Sequence, residues 1–232
     1  MISKEKGTVC ITGASRGLGL ALAEAFLKST NLDVAAVTRS EVPHPLAATW
    51  GDRLRVIRAD ISLESGRADV YNTIAGMQPL SVLIHNAGAL AFKPFSETDA
   101  DTLRHIYEVN VFAPYLLTQK LLPLAGRTHI ISISSIGGVQ GSLKFGGLSA
   151  YSSSKAALNC LTEMWSEEFK DTDIVFNCLA LGSVDTDMFK EAFPGVSAAC
   201  TPQTMGEYIA DFAFSAVDVM RGKIISLSLG NP

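Results

Sequence analysis

Short apolar, β-branched runs alternate with longer stretches of helical periodicity along the whole chain. Strands are predicted at residues 7–12, 33–38, 54–59, 81–85, 128–134, 174–179 and 223–228. Most of these runs are continuously apolar rather than alternating, as strands covered on both faces are. Helices are predicted at 18–28, 63–77, 101–124, 150–169 and 204–217, where apolar positions recur three and four residues apart. Pro114 falls inside the third helix and marks a kink or a boundary there. Between the second and third strands, over 40–53, Pro43 and Pro45 cut into any helix, so an irregular loop is expected. The alternation predicts an α/β fold: a doubly wound, Rossmann-like domain with a seven-stranded parallel sheet and helices on both faces. No repeat, low-complexity tract or linker divides the chain, so residues 1–232 are read as one domain.

Composition narrows the function. Hydrophobic residues make up 47% of the chain and charged residues 18%, enough apolar surface for a full core. A net charge of -4 argues against nucleic acid and anionic membrane as partners, because both require a surplus of Lys and Arg. The expected partner is a small molecule. Cys10, Cys160, Cys178 and Cys200 lie far apart with no CxxC pair, so no metal site is expected and the thiols read as reduced. Met1 to Lys6 carries charges of both signs, and no stretch approaches the ~20 apolar residues of a membrane span. A cytoplasmic, soluble protein is expected.

The first strand runs into Thr12-Gly13-Ala14-Ser15-Arg16-Gly17-Leu18-Gly19, after which a helix begins. Glycines there permit a tight turn and close backbone approach, and the helix N-terminus offers free N–H groups to a pyrophosphate. The spacing is GxxxGxG rather than GxGxxG. About 20 residues further on, a carboxylate would bind the 2'-hydroxyl of NAD and a basic group would accept the 2'-phosphate of NADP. The second strand ends Val37-Thr38-Arg39-Ser40, and Glu41 lies past the expected position. Arg39 with Arg16 could clamp a phosphate, which points to NADP(H). Asp60, at the end of the third strand, is placed either to bond the adenine amino group or to cap a helix.

Tyr151 and Lys155 stand four apart at the start of a long helix and project from one face. An ammonium beside a phenol favours the phenolate, so the pair suits proton transfer. Ser134 ends the fifth strand and Ser135 follows it, at the carboxyl end of a strand where an open α/β sheet gathers its functional groups. Asn110, in Val109-Asn110-Val111, is a polar amide among apolar residues and needs a buried partner.

Together with Asn86-Ala87-Gly88 after the fourth strand and Gly182-Ser183-Val184-Asp185-Thr186 after the sixth, these residues resemble the short-chain dehydrogenase/reductase family over nearly the whole chain. The resemblance implies a catalytic tetrad of Asn110, Ser135, Tyr151 and Lys155. Tyr151 would exchange a proton with the substrate oxygen, and Lys155 would lower the Tyr151 pKa and hold the nicotinamide ribose. Ser135, the serine nearer the following glycines, would stabilise the developing oxyanion, and Asn110 would help hold a water behind Lys155. Cofactor contacts are implied at Gly13, Ser15, Arg16, Gly17, Leu18, Gly19, Arg39, Asp60, Ile61, Asn86, Ala87, Gly88, Tyr151, Lys155, Gly182, Val184 and Thr186. A homodimer or homotetramer is also implied, and residues 111–124 and 156–169 offer apolar faces for it.

The chain departs from the family pattern in three places. His85 stands where asparagine usually precedes the NAG segment, and reads as a buried structural histidine. Leu181 replaces the proline before Gly182, which predicts a looser cofactor loop. Ser135 and Tyr151 are separated by a longer, glycine-containing segment, similar to a carbonyl-reductase-like branch. Residues 187–199, with Met188, Phe189, Phe193, Val196 and a Pro194-Gly195 turn, are expected either to form a substrate lid or to pack as core. The expected activity is NADP(H)-dependent interconversion of a carbonyl compound and its alcohol, chiefly as reduction. The alternative is a non-catalytic regulator that senses dinucleotide on the same fold.

Overall fold

The computed structural model describes residues 2–40 and 48–229. In order, its elements are β1 (Thr8–Thr12), α1 (Gly17–Ser29), β2 (Asp33–Thr38), β3 (Leu54–Arg58), α2 (Glu64–Ala75), β4 (Leu80–His85), α3 (Ala100–Tyr107), α4 (Ala113–Leu121), β5 (Ala125–Ser135), α5 (Ser149–Glu168), β6 (Ile174–Leu181), α6 (Asp187–Ala192), α7 (Pro202–Ser215) and β7 (Lys223–Leu227). Glu41, Pro43 and Pro45 lie outside the described residues. The loop expected over 40–53 is partly helical where it is described: residues 48–50 are helical and run into a 3-10 turn at Gly51–Arg53.

The seven strands form one parallel sheet in the order β3-β2-β1-β4-β5-β6-β7. Alternate residues of the central strands feed two cores. Val9, Ile11, Val82 and Ile84 pack with α1 and α7 on one face. Cys10, Leu83, Ile130 and Phe176 pack with α2, α4 and α5 on the other. Burial on both sides explains the continuous apolar runs of the central strands. The two edge strands depart from that pattern: Arg55 and Arg58 of β3 and Lys223 of β7 are exposed. The chain crosses from one side of the sheet to the other between β3 and β4, so the carboxyl ends of β1 and β4 diverge into a crevice. Open α/β sheets bind their ligands at such a switch point.

The long helix expected at 101–124 is broken. It consists of α3, a π-helical turn at Glu108–Phe112, α4 and a 3-10 turn at Leu122–Leu124. Pro114 falls in the first turn of α4, where its missing N–H costs nothing, so it marks the boundary behind the π turn. β6 runs two residues further than expected, with Leu181 paired to Ser135 and to Leu227 and its side chain buried. Leu181 therefore extends the sheet rather than loosening the loop. No helix among the described residues is long and apolar enough to cross a membrane.

Candidate active site

The carboxyl ends of the strands open into a cleft of about 640 Å³. Gly13, in a left-handed turn at φ +70°, lies so close to Ala87 that a Cβ there would stand 2.8 Å from the Ala87 Cα. A Cβ on Gly19 would stand 2.1 Å from the Gly13 carbonyl oxygen. Only glycine fits at either place. The Thr12 hydroxyl accepts the N–H groups of Asn86 and Ala87 at 3.0 Å each, and the Asn86 amide donates to the carbonyls of Thr12 and Gly13. These bonds lock the glycine loop to the Asn86-Ala87-Gly88 segment. Arg16, the N-cap of α1, is extended and makes no side-chain cap, so the first N–H groups of α1 face the cleft uncapped. That cradle of backbone donors, with no room for side chains, fits a pyrophosphate.

Ser15, Gly17, Leu18, Arg39, Asp60 and Ile61 line the same half of the cleft. Arg39 is exposed at the end of β2. Arg16 is engaged by the segment after β6, its Nη1 lying 3.1 Å from Asp187 Oδ2. Asp60 Oδ1 accepts the Ser62 N–H at 3.0 Å and the Ser62 hydroxyl at 2.7 Å, so the carboxylate caps its own turn while still lining the cleft. Burial pushes the Asp60 pKa up, but the Ser62 hydrogen bonds, Arg39 and His105 outweigh it and hold the carboxyl below its ordinary value. Sequence reasoning missed Arg67. Its buried guanidinium donates to the carbonyls of Ile61 and Ser62 and fixes the turn that carries Asp60.

Ser135, Tyr151 and Lys155 converge on the floor of the cleft from β5 and the first two turns of α5. The two serines are now distinguishable. Ser134 is buried and its hydroxyl donates to the Lys155 carbonyl at 3.2 Å. Ser135 is half-buried and its hydroxyl hydrogen-bonds with Tyr151. Burial pushes the Tyr151 phenol up to about 12, and the Ser135 hydrogen bond pulls the other way. The expected lowering of Tyr151 by Lys155 is absent in this geometry. The Lys155 ammonium lies 5.8 Å from the Tyr151 ring centroid and donates to the Ile133 carbonyl at 2.9 Å. Burial lowers Lys155 itself to about 8.

Asn110 sits in the π turn, fully buried, and does not line the cleft. Its Oδ1 accepts the Ala89 N–H at 2.8 Å, and its amide donates to the Ala89 carbonyl and to Ser154 Oγ at 2.9 Å each. Both amide hydrogens are thus committed to protein. The side chain ties the Gly88-Ala89 segment to the first turn of α5. His85, at the end of β4, is buried against Trp165 with Nε2 2.7 Å from Thr118 Oγ1, as a structural histidine would be.

Gly182, Val184 and Thr186 line the cleft beyond β6. Val184 bridges to Cys200, and the Ser183 hydroxyl accepts the Ala199 N–H at 3.0 Å, so the segment expected as a lid is stapled at its base. Thr186 caps α6 by accepting the Phe189 N–H, and its methyl group faces Gly17. Met188, Phe189 and Phe193 turn toward the cleft, whereas Val196 points outward. Phe92 and Phe145, which carried no signal in the sequence, pack on Phe193. No group of three His, Cys, Asp or Glu that could hold a metal occurs among the described residues.

A family model described as short chain dehydrogenase matches residues 7–196. The chain is 26% identical to an uncharacterized oxidoreductase, YmfI, of Bacillus subtilis, over 96% of this chain and 98% of that one. It is 29% identical to an NADPH-dependent 3-dehydrocapnine reductase of Ornithobacterium rhinotracheale, over 80% of this chain and 68% of the relative. A 4-hydroxyisoleucine dehydrogenase complexed with NADH shares the fold with a TM-score of 0.84 at 20% identity, covering 97% of this chain and 98% of that one.

Proposed function

Since the chain belongs to the short-chain dehydrogenase/reductase family, we propose that it is an NADP(H)-dependent oxidoreductase that interconverts a carbonyl compound and its alcohol. The observation that carries this reading is the convergence of Ser135, Tyr151 and Lys155 beneath the same cleft that begins at the uncapped N-terminus of α1. The bound nicotinamide supplies hydride. The chain supplies position and a proton. Tyr151 Oη gives its proton to the carbonyl oxygen, and the Ser135 hydroxyl donates a hydrogen bond to that oxygen as negative charge develops. Tyr151 is protonated at neutral pH, the form in which it can give a proton to a carbonyl oxygen. Lys155, one turn along α5 from Tyr151, would hold the nicotinamide ribose hydroxyls. Asn110 acts through Ala89 and Ser154, as a positioning residue.

The preference for NADP(H) rests on Arg39 and Arg16 and on the lack of a carboxylate at the end of β2. The relative described as an NADPH-dependent reductase agrees with it, and with a carbonyl-reductase-like assignment. Residues 187–199 serve as the substrate lid within a single domain of 232 residues. The exposed Phe112, Tyr115, Leu116 and Met164 on and beside α4 and α5 supply an apolar face for a homodimer or homotetramer.

The test is Tyr151→Phe, which keeps the ring and removes the proton. Turnover of any accepted carbonyl should fall about 10²–10⁴-fold. Cofactor affinity, measured by fluorescence titration, should stay within a few-fold. Wild-type kcat in the variant would sink the proposed mechanism.

A further inference from the structure

Beyond Ser135 and Tyr151 the cleft is walled by Leu90, Phe145, Leu148, Met188, Phe189 and Phe193. Hydride transfer alone gives no reason for so many rings. Phe193 meets Phe189, Phe145 and Phe92 with ring centroids 5.2, 5.6 and 6.1 Å apart. The four rings come from three segments: the β4–α3 connection, the β5–α5 connection, and α6 with its C-terminal end. Two of these are joined independently of the third. The Lys93 N–H donates to the Gly147 carbonyl at 3.0 Å, and the Phe92 ring would stand only 3.2 Å from a Cβ on Gly147. Gly147 has φ +84°, so glycine is required there for backbone and space alike. α6 then lays Phe189 and Phe193 across this platform.

Charge is excluded from the same end. The charged side chains lining the cleft, among the described residues, are Arg16, Arg39, Asp60, Lys155 and Asp187. Arg16 and Asp187 pair with each other, Arg39 and Asp60 stand at the ends of β2 and β3, and Lys155 points to the Ile133 carbonyl. Lys93, Lys144 and Lys190, the lysines in or beside the ring segments, do not line the cleft, and Lys190, next to Phe189, pairs with Asp185 at 3.0 Å. Lys93 contacts Asp99 and Thr102, and Lys144 contacts the Val139 carbonyl and Ser142. A carboxylate or phosphate pushed among the phenylalanines would lose its water and gain no cation. A flat apolar group would instead meet ring faces and edges, which adds to the area it buries.

Building on the oxidoreductase reading of this site, we propose that its substrate is an uncharged carbonyl compound carrying an aromatic ring. Phe145 and Phe193 set the selection against carboxylate- and phosphate-bearing carbonyls. Three probes separate the contributions: 1-phenyl-1,2-propanedione, phenylglyoxylate, which has the same aryl ketone frame with a carboxylate, and 2,3-butanedione, which is neutral and has no ring. Binding is measured by calorimetry on the Tyr151→Phe protein saturated with NADPH, so the result does not depend on turnover. The aryl dione should bind at least about tenfold more tightly than either of the others. Placing Phe145→Leu or Phe193→Leu in that protein should cut its advantage over butanedione several-fold. Thermal melting of each variant shows whether it is folded.

Phenylglyoxylate binding as tightly as the aryl dione would overturn the inference. So would unchanged selectivity in folded leucine variants, or no binding by any probe. Failure of the oxidoreductase reading looks different: a wild type that binds the aryl dione with the expected selectivity yet oxidises neither NADPH nor NADH in its presence.

Discussion

Arg39 and Arg16 differ in what stands beside them, and the difference bears on cofactor choice. Arg39 is exposed at the end of β2, in the cleft. Arg16 must leave Asp187 before it can meet a phosphate, but both side chains are more than half exposed, and such pairs contribute little to stability. Arg39 is therefore the residue to change. Arg39→Asp should weaken NADPH binding by about tenfold or more, since a charge-assisted hydrogen bond contributes ~1.5–3 kcal/mol, and should leave NADH binding equal or better. Equal affinity of the wild type for the two cofactors, measured by titration of each, would contradict the NADP(H) assignment.

At the scale of elements, the π turn is the feature on which the floor of the site depends. A π turn inserts one residue into a helix, and here it lets Asn110 face inward between Ala89 and Ser154. Asn110→Leu keeps the volume and leaves the Ala89 N–H and C=O without their partner. The expected cost is on the order of 2–3 kcal/mol of stability, read by urea denaturation, with a fall in kcat because Ser154 sits in the turn that carries Tyr151 and Lys155. An unchanged midpoint would show that the amide is dispensable.

The π turn also marks where reading the sequence ran out. Glycines at 13, 17 and 19 and the Tyr151–Lys155 spacing were legible because a local pattern fixes a local backbone. The apolar period through residues 101–124 carries no mark for an inserted residue, so Pro114 signalled a kink or a boundary but not the π turn before it. From the residues around it, Asn110 could be read as needing a buried partner but not which one, since that partner, Ala89, is 21 residues away. Phe92 and Phe145 belong to loops whose meeting depends on the sheet order, which places β4 beside β5. Nothing in the sequence singled out Arg67 of α2, which holds two carbonyls of the preceding turn.

Across the whole molecule, the most consequential buried charges are those the fold suppresses in two histidines. His85 joins β4 to α4 through Thr118, and His129 joins β5 to α7 and β6 through the Ala213 carbonyl and the Asn177 amide. His85 Nδ1 has no hydrogen-bond partner among the described residues. Burial lowers the His85 pKa to about 3, with the positive charge of Lys155 adding to the effect. Burial lowers His129 to about 4, against a smaller upward pull from the Ala213 carbonyl. Both rings are neutral in the folded protein, while in the unfolded chain they titrate near ~6.5. The unfolded state therefore binds more protons below that value. The stability that these neutral rings contribute is present in full above pH ~6.5 and is lost as pH falls toward the folded pKa values. Between pH 7 and pH 5 the loss is roughly 2 kcal/mol for each histidine. The two sites brace opposite faces of the sheet, so the effect should appear as one cooperative transition shifting with pH. Urea midpoints at pH 7, 6 and 5 should fall steeply in the wild type and much less in the double variant His85→Asn/His129→Gln, whatever its stability at pH 7. Parallel slopes for the two proteins would mean that other groups govern the acid limit of this fold.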